Sequence, residues 1–353
     1  VFFRLDSSAA IGGGHLYRCL TLAHQLKSEN VDVVFICRNL AGNLNLVIKQ
    51  QGYKIEELTI DECTEFSLLN DAKYTAAIIE KYQNSDVHTS LLTDHYQLSG
   101  LWYDCVCSLV NVSLAIDDLA NRNLPTDMVV NTSLSVQPSD YKNICNPQTK
   151  LLLGTKYALL DASFDDYRQQ SLQQSQLAIS NILIFFGSTD PKEQVLLALN
   201  AIKSWPSRKK YHWTVLLSEH APHFSEVEKT ITQELADIQL TSLVTEMAKF
   251  LSQFQLVIGA NGINAFERCS LGIPAITINA ANNQQDNSST LAKANAIIHI
   301  KDSHSAAMQQ LLSALESVTN LPEHYQILKQ NALNICDSQG TKRVLTTLKQ
   351  LPP

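Results

Sequence analysis

The stretch Arg4-Leu-Asp-Ser-Ser-Ala-Ala-Ile-Gly-Gly-Gly-His-Leu-Tyr-Arg-Cys19 decides how the chain is read, because it runs a strand end, a glycine loop and a helix start together. Residues 1–5 are short and apolar enough for a buried strand. Gly12, Gly13 and Gly14 then supply positions where backbone can approach a ligand with no side chain in the way. From there Leu16, Cys19, Leu20, Ala23 and Leu26 recur at three and four residues, which predicts an amphipathic helix over 15–28. His15 falls in its first turn. The partial positive charge of a helix N-terminus disfavours imidazolium, so a neutral imidazole able to take a proton is expected there. Taken alone, the same loop would also suit a tight turn before a helix. It is not a dinucleotide fingerprint, since Tyr17 stands where the third glycine belongs and the next strand ends Phe35-Ile-Cys-Arg38 without an acidic residue. Nor is it a Walker A loop, because no Gly-Lys-Ser/Thr follows.

A chain of 353 residues exceeds what one hydrophobic core usually serves, so two domains are expected. With 45% hydrophobic and 17% charged residues the composition is that of an ordinary globular protein. The formal net charge of −7, without any basic block or basic amphipathic helix, argues against nucleic acid or an anionic membrane as partner. A small charged ligand in a local pocket stays compatible. Of the scattered cysteines only Cys105 and Cys107 are close, and no zinc-type pairing follows from the spacings. Reduced thiols and a cytoplasmic location are the expectation. No apolar run approaches the ~20 residues of a membrane-spanning helix. Because Val1 already stands inside the first strand, native residues are expected to precede it.

Strand and helix alternate after the opening. Residues 31–37 read as a buried strand, 42–51 as a helix closed by Gly52, and 76–80, 90–94, 112–118 and 128–132 as further β-type runs. Alternation of this kind means a parallel sheet with ligands at the carboxyl ends of its strands. Three such ends are polar: Asp6-Ser-Ser8, Asp94-His-Tyr96, and Asp117-Asp118 with Asn121 and Arg122 beyond. Any one of them could simply cap a helix. Three on the edge that carries His15 point to a shared pocket. Residues 150–161 show no clear periodicity and 165–180 are rich in Gln and Ser, so the chain is divided into domains at 1–155 and 181–353 with a connection at 156–180.

The second half opens with a strand at 181–186, the loop Gly187-Ser-Thr-Asp-Pro191 and a helix from Glu193; 213–217, 238–244 and 256–258 read as later strands. After the last of these comes a loop with Gly259, Asn261 and Gly262, a helix over 263–271 ended by Gly272, and a strand opened by Pro274. The N–H groups of that loop and helix start would suit a phosphate. Glu267 would repel one, so it reads either as a partner of hydroxyls such as those of a ribose or as a solvated helix residue.

Arg4-x-Asp6 through Ile11-Gly-x-Gly-His-x-x-Arg18-Cys19, Asp94-His-Tyr96, Ile116-Asp-Asp-Leu-Ala120 with Arg122, Leu153-Gly154 with Tyr157-Ala-Leu-Leu160, and Glu267-Arg-Cys269 with Leu271-Gly-x-Pro274 together carry a resemblance over nearly the whole chain. The chain resembles the GT-B group of nucleotide-sugar enzymes, and more narrowly the UDP-sugar hydrolases of pseudaminic acid biosynthesis, themselves similar to the peptidoglycan N-acetylglucosaminyltransferase. The resemblance implies an α/β fold of two doubly wound, Rossmann-like domains facing across a cleft, with C-terminal helices packing back on the first. It implies hydrolysis of UDP-2,4-diacetamido-2,4,6-trideoxy-β-L-altropyranose with inversion, His15 being the catalytic residue. Asp6, Gly14, Arg18, Asp94, His95, Tyr96 and Asp118 are expected at the sugar, and Gly187, Ser188, Asn261, Gly262, Ile263, Glu267 and Gln284 at the nucleotide. The expected partners are the UDP-sugar and UDP, bound by a monomer without cofactor or metal. Phe186, Asn261, Ile263 and Asn282 depart from the family pattern and put the shape of the nucleotide loop in question. Two alternatives stand beside this reading: a GT-B glycosyltransferase whose base activates an acceptor hydroxyl, and a noncatalytic nucleotide-sugar binding protein.

Overall fold

The structure, a computed structural model, describes residues 1–8, 10–58, 66–84, 86–173, 178–262, 264–278, 285–301 and 304–352, with the side chains of 285–286 and 304–305 left out. The chain forms two compact units, Val1–Ala162 with Gln339–Pro353, and Ser163–Ser338. Among the described residues no helix is long and apolar enough to cross a membrane.

The first unit is built on strands β1 (Phe2–Leu5), β2 (Val34–Arg38), β3 (Lys54–Leu58), β4 (Ser90–Asp94), β5 (Val112–Ile116), β6 (Met128–Asn131) and β7 (Lys150–Leu153), with helices α1 (Gly14–Ser28), α2 (Asn45–Gln50), α3 (Leu68–Lys81) and α4 (Gly100–Val106). All strand pairs are parallel and the order is β3-β2-β1-β4-β5-β6-β7. The pleat sends alternate residues of β1 to opposite faces: Phe3 and Leu5 join Leu16, Leu20 and Ala23 of α1, while Phe2 joins Trp102 and Tyr103 of α4. Arg4 shares the face of Phe2. The helix Gly340–Gln350 completes the first face with Val344, Leu345 and Leu348, and Thr341 Oγ1 donates to the Leu160 carbonyl at 2.7 Å.

The second unit holds β8 (Asn181–Phe185), β9 (His212–Leu216), β10 (Ile238–Thr241), β11 (Leu256–Gly259), β12 (Ala275–Ile278) and β13 (Ile297–Ile300), again all parallel, in the order β10-β9-β8-β11-β12-β13. Its helices are α5 (Ser163–Gln173), α6 (Gln194–Lys203), α7 (Phe224–Glu234), α8 (Met247–Leu251), α9 (Asn264–Ser270), α10 (Gln285–Lys293), α11 (His304–Asn320) and α12 (Pro322–Ile335). A Cβ on Gly259 would lie 2.2 Å from the Phe185 carbonyl oxygen, so the close approach of β11 to β8 leaves room for glycine alone.

Three readings of the sequence need correction. Residues 76–80 are not a strand but part of α3, because Ala72, Thr75 and Ile79 bury one helical stripe and the β-branched residues mislead. Residues 150–153 form the edge strand β7, whose single buried side chain, Leu152, leaves too weak a pattern to read. Residues 163–173 form the packed helix α5: Arg168 donates to the carbonyls of Ser270, Cys336 and Leu333 at 2.7, 2.8 and 3.0 Å, and Ser171 Oγ to that of Leu271 at 2.7 Å. A helix this polar is held by hydrogen bonds, and only Phe164 is buried.

Candidate active site

In an open parallel sheet the loops of neighbouring strands part where the strand order reverses, and a crevice opens at their carboxyl ends. In the first unit that point lies between β1 and β4, where Leu5 is paired with Asp94. The polar clusters after β1, β4 and β5 meet there, with the start of α1.

His15 is buried, and its Nδ1 lies 2.6 Å from Asp94 Oδ1. A carboxylate only accepts, so Nδ1 carries the proton and donates it. Among the described residues nothing bonds Nε2, which is left as the acceptor. Arg18, one helical turn on, donates from Nε to Asp94 Oδ2 at 2.8 Å and from Nη2 to Oδ1 at 2.9 Å. Its Nη1 and Nη2 also reach Asp118 Oδ1 and Oδ2 at 2.7 and 2.8 Å. The Tyr96 ring stands edge-on to the His15 imidazole with centroids 4.6 Å apart, and its hydroxyl donates to Asp118 Oδ2 at 2.9 Å. Burial works against an Asp118 carboxylate, but Arg18 outweighs it and holds the group below the usual carboxylate range.

A second network lies against the first. Asp6 accepts from Arg4 Nη1 at 2.7 Å, from the Arg38 amide at 2.8 Å, from Arg38 Nε at 2.6 Å and from His95 Nε2 at 2.9 Å. Arg4 also holds Asp71 of α3, to which Trp102 Nε1 donates at 2.8 Å. His95 Nδ1 accepts from the Gln97 amide at 3.1 Å, so the ring is neutral with its proton on Nε2. Burial pushes the His95 imidazole below its ordinary range, the bond to Asp6 only partly opposing. Burial would raise Asp6, yet Arg4 and the His95 hydrogen bond hold it well below the carboxylate range. Asp117 is saturated too, by the Ala120 amide at 2.7 Å, Arg122 Nη1 at 2.5 Å and the Tyr141 hydroxyl at 2.8 Å.

Of the residues expected at the sugar, then, Asp6, Arg18, Asp94 and His95 are buried with their polar atoms engaged inside the protein. Gly14 and Tyr96 stay more open, and the Asp118 side chain keeps 31% of its surface exposed. Sequence reading missed Asp71 and the bracing role of Arg4 and Arg38. The signal for Arg4 was a charge inside an otherwise apolar strand; Asp71 left none.

In the second unit the strand order reverses between β8 and β11. Gly187 follows β8 at φ +100°, a conformation that favours glycine, and Ser188 is exposed. Phe186, a departure from the family pattern, is buried in the core. The carboxylate of Asp190 accepts from the amides of Gln194 and Val195 at 3.0 and 2.8 Å and so closes the start of α6; burial raises its pKa, with those amides opposing. After β11, Asn261 turns inward: Nδ2 donates to Thr277 Oγ1 and Ser288 Oγ at 3.0 and 2.9 Å, and Oδ1 accepts from Arg268 Nη2 at 2.9 Å. What this loop can offer a ligand is backbone at Asn261 and Gly262 with Glu267, half-buried on α9. Ile263 and Gln284, also expected at the nucleotide, and Asn282 lie outside the described residues.

No protein-family model matches the chain. It is 26% identical over 230 residues to the UDP-2,4-diacetamido-2,4,6-trideoxy-β-L-altropyranose hydrolase of Campylobacter jejuni, across 65% of this chain and 73% of that protein. It is 23% identical over 281 residues to an uncharacterised protein of Methanocaldococcus jannaschii, across 77% of this chain and 54% of the other, so it spans about half the length of that relative. The crystal structure of MurG from Acinetobacter baumannii matches the fold with a TM-score of 0.68 at 15% identity, covering 99% of each chain. By sequence the chain is thus a relative of the Campylobacter hydrolase, and by fold it is a two-domain α/β protein of GT-B architecture.

Proposed function

We propose that the chain is a UDP-sugar hydrolase acting on a diacetamido-trideoxy sugar, with His15 as general base. The observation that carries this reading is the Nδ1 contact of His15 with Asp94 at 2.6 Å, which fixes the tautomer and leaves Nε2 to receive a proton, in a chain similar to such a hydrolase. Water attacks the anomeric carbon. Its oxygen forms the new C–O bond as the bond to the β-phosphate oxygen breaks, the electron pair leaves with UDP, and the water proton passes to His15 Nε2. UDP departs as a stable anion and needs no general acid, unlike the leaving groups that oblige ordinary glycosidases to use two carboxylates. One direct displacement inverts the anomeric centre.

In this reading Gly14, Tyr96 and the open edge of Asp118 meet the sugar, while in the second unit the backbone about Gly187, Ser188, Asn261 and Gly262 holds the diphosphate and Glu267 the ribose. The test is incubation with a panel of UDP-sugars, with and without EDTA, following UDP release and the anomer formed by NMR. Release of UDP and inverted sugar from a 2,4-diacetamido donor, unaffected by EDTA, is expected. Release that requires an added acceptor would make the protein a transferase, and binding without turnover a nucleotide-sugar binding protein.

A further inference from the structure

Arg18 acts on His15 in two opposed ways. By gripping both oxygens of Asp94, at 2.8 and 2.9 Å, it presents Oδ1 to His15 Nδ1. The same Nη2 lies only 3.3 Å from that ring nitrogen, and a cation so close disfavours the imidazolium that a base must become. Asp118 accepts from both terminal nitrogens of Arg18, at 2.7 and 2.8 Å, and brings the charge that offsets the guanidinium. Two carboxylates and one guanidinium leave a net negative charge facing His15. With Asp118 neutral, Asp94 and Arg18 cancel.

We infer that Asp118 is a positioning residue that acts through Arg18 to keep His15 a competent proton acceptor. The inference rests on His15 being the base, and it gives Asp118 a task beyond lining the sugar pocket. Among the described residues the groups facing His15 are Asp94 at the end of β4, Arg18 on α1, Tyr96 after β4 and Asp118 after β5. The Tyr96 hydroxyl lies on Asp118, and burial and that carboxylate push its own ionisation far up, so it stays neutral throughout. The adjoining Asp6, Arg38 and His95 are bonded among themselves.

The test is an NMR titration of the histidine imidazoles in the ligand-free full chain, with the His15 signal assigned by its loss in His15→Asn. In Asp118→Asn the shape is kept and the charge removed, so the His15 midpoint moves to lower pH than in the unsubstituted protein, by roughly one unit. The acid limb of kcat/KM moves with it, and Asp118→Glu restores both. A residue that only shaped the pocket would lower the plateau and leave the limb in place. A His15 midpoint unchanged in a folded Asp118→Asn protein overturns the inference, and Asp118→Ala supplies the same measurement if the Asn variant does not fold. Should His15→Asn keep full turnover, the assignment of the base fails instead, whatever the titration shows.

Discussion

Both units place their loops at the reversal point of a parallel sheet, and they furnish it in opposite ways. After β1, β4 and β5 the ends carry Asp6, Asp94 and Asp117, all wholly buried and all satisfied by arginine, histidine or amide donors. After β8 and β11 the side chains of Asp190 and Asn261 turn away, one to the start of α6 and the other into a buried cluster, and among the described residues backbone stands beside Ser188 and Glu267. A group that must change its protonation during a reaction needs fixed charges about it, since a mobile environment would relax in both states alike. An anion whose charge is constant needs only donors. In the proposed function, the first unit is furnished for chemistry and the second for holding.

The comparison breaks first at His15. His15→Asn should keep the fold and UDP affinity, because Asn suits a helix start, while turnover falls by ~10² to 10⁴, the usual contribution of a positioned base. Asp94→Asn should also lower kcat with little change in KM, since an amide can donate to Nδ1 and lose the tautomer. Full turnover with a raised KM in His15→Asn would move the chemistry elsewhere in the unit. Next in size is Arg4→Met, which leaves Asp6 and Asp71 buried without their shared cation. A cost of about 3–5 kcal/mol is expected, read by hydrogen exchange at the β1 and β4 amides, which reports on the first unit alone. A cost under about 1 kcal/mol would mean that the network does not brace the site.

How much of this was legible follows the same division. The strands whose residues are buried on both faces could be read as runs, and the glycine loop with His15 lies after β1 where the polar residues of three strand ends meet. β7 could not be read because an edge strand buries little, nor α5, which is held by Arg168 and Ser171 rather than by an apolar stripe. At the site the residue types were legible and their directions were not. Asp6, Asp94, Asp117 and Asp118 look alike in sequence; which of them faces outward is decided by arginines that are distant in the chain, as Arg18 is from Asp94 and Asp118. The Asn261 side chain joins Thr277 and Ser288, contacts no local pattern encodes.

The second unit is sharpened by Glu267→Ala. If backbone holds the diphosphate and Glu267 the ribose hydroxyls, calorimetry should show UDP affinity weakened by about 1 to 3 kcal/mol, the range for hydrogen bonds to a charged group, with kcat at saturating substrate nearly kept. Unchanged affinity would remove Glu267 from the nucleotide and leave it a residue of the helix surface.

The smallest effect concerns the fixed charges themselves and is read from the pH dependence of stability. His95 is held neutral by two bonds, Nε2–H to Asp6 and Nδ1 from the Gln97 amide, and burial lowers its folded pKa below the unfolded value of about 6.5. Between those two values the unfolded chain binds more protons than the folded one, so stability rises with pH across that window. The contribution of the neutral ring is complete above about 6.5 and is lost as pH falls through the folded pKa. Asp6 has the same sign in a lower window: its folded pKa is depressed, so its contribution is present above about 3.9 and is lost only as pH falls further. His95→Gln separates them. The amide can donate to Asp6 and accept from Gln97 yet cannot be protonated, so hydrogen exchange at β1 and β4 should show a flatter loss of stability as pH falls below about 6.5, with the loss below about 3.9 unchanged. Equal slopes for the two proteins in the upper window would mean that His95 takes up its proton without leaving the network, and that the first unit tolerates a change of charge beside Asp6.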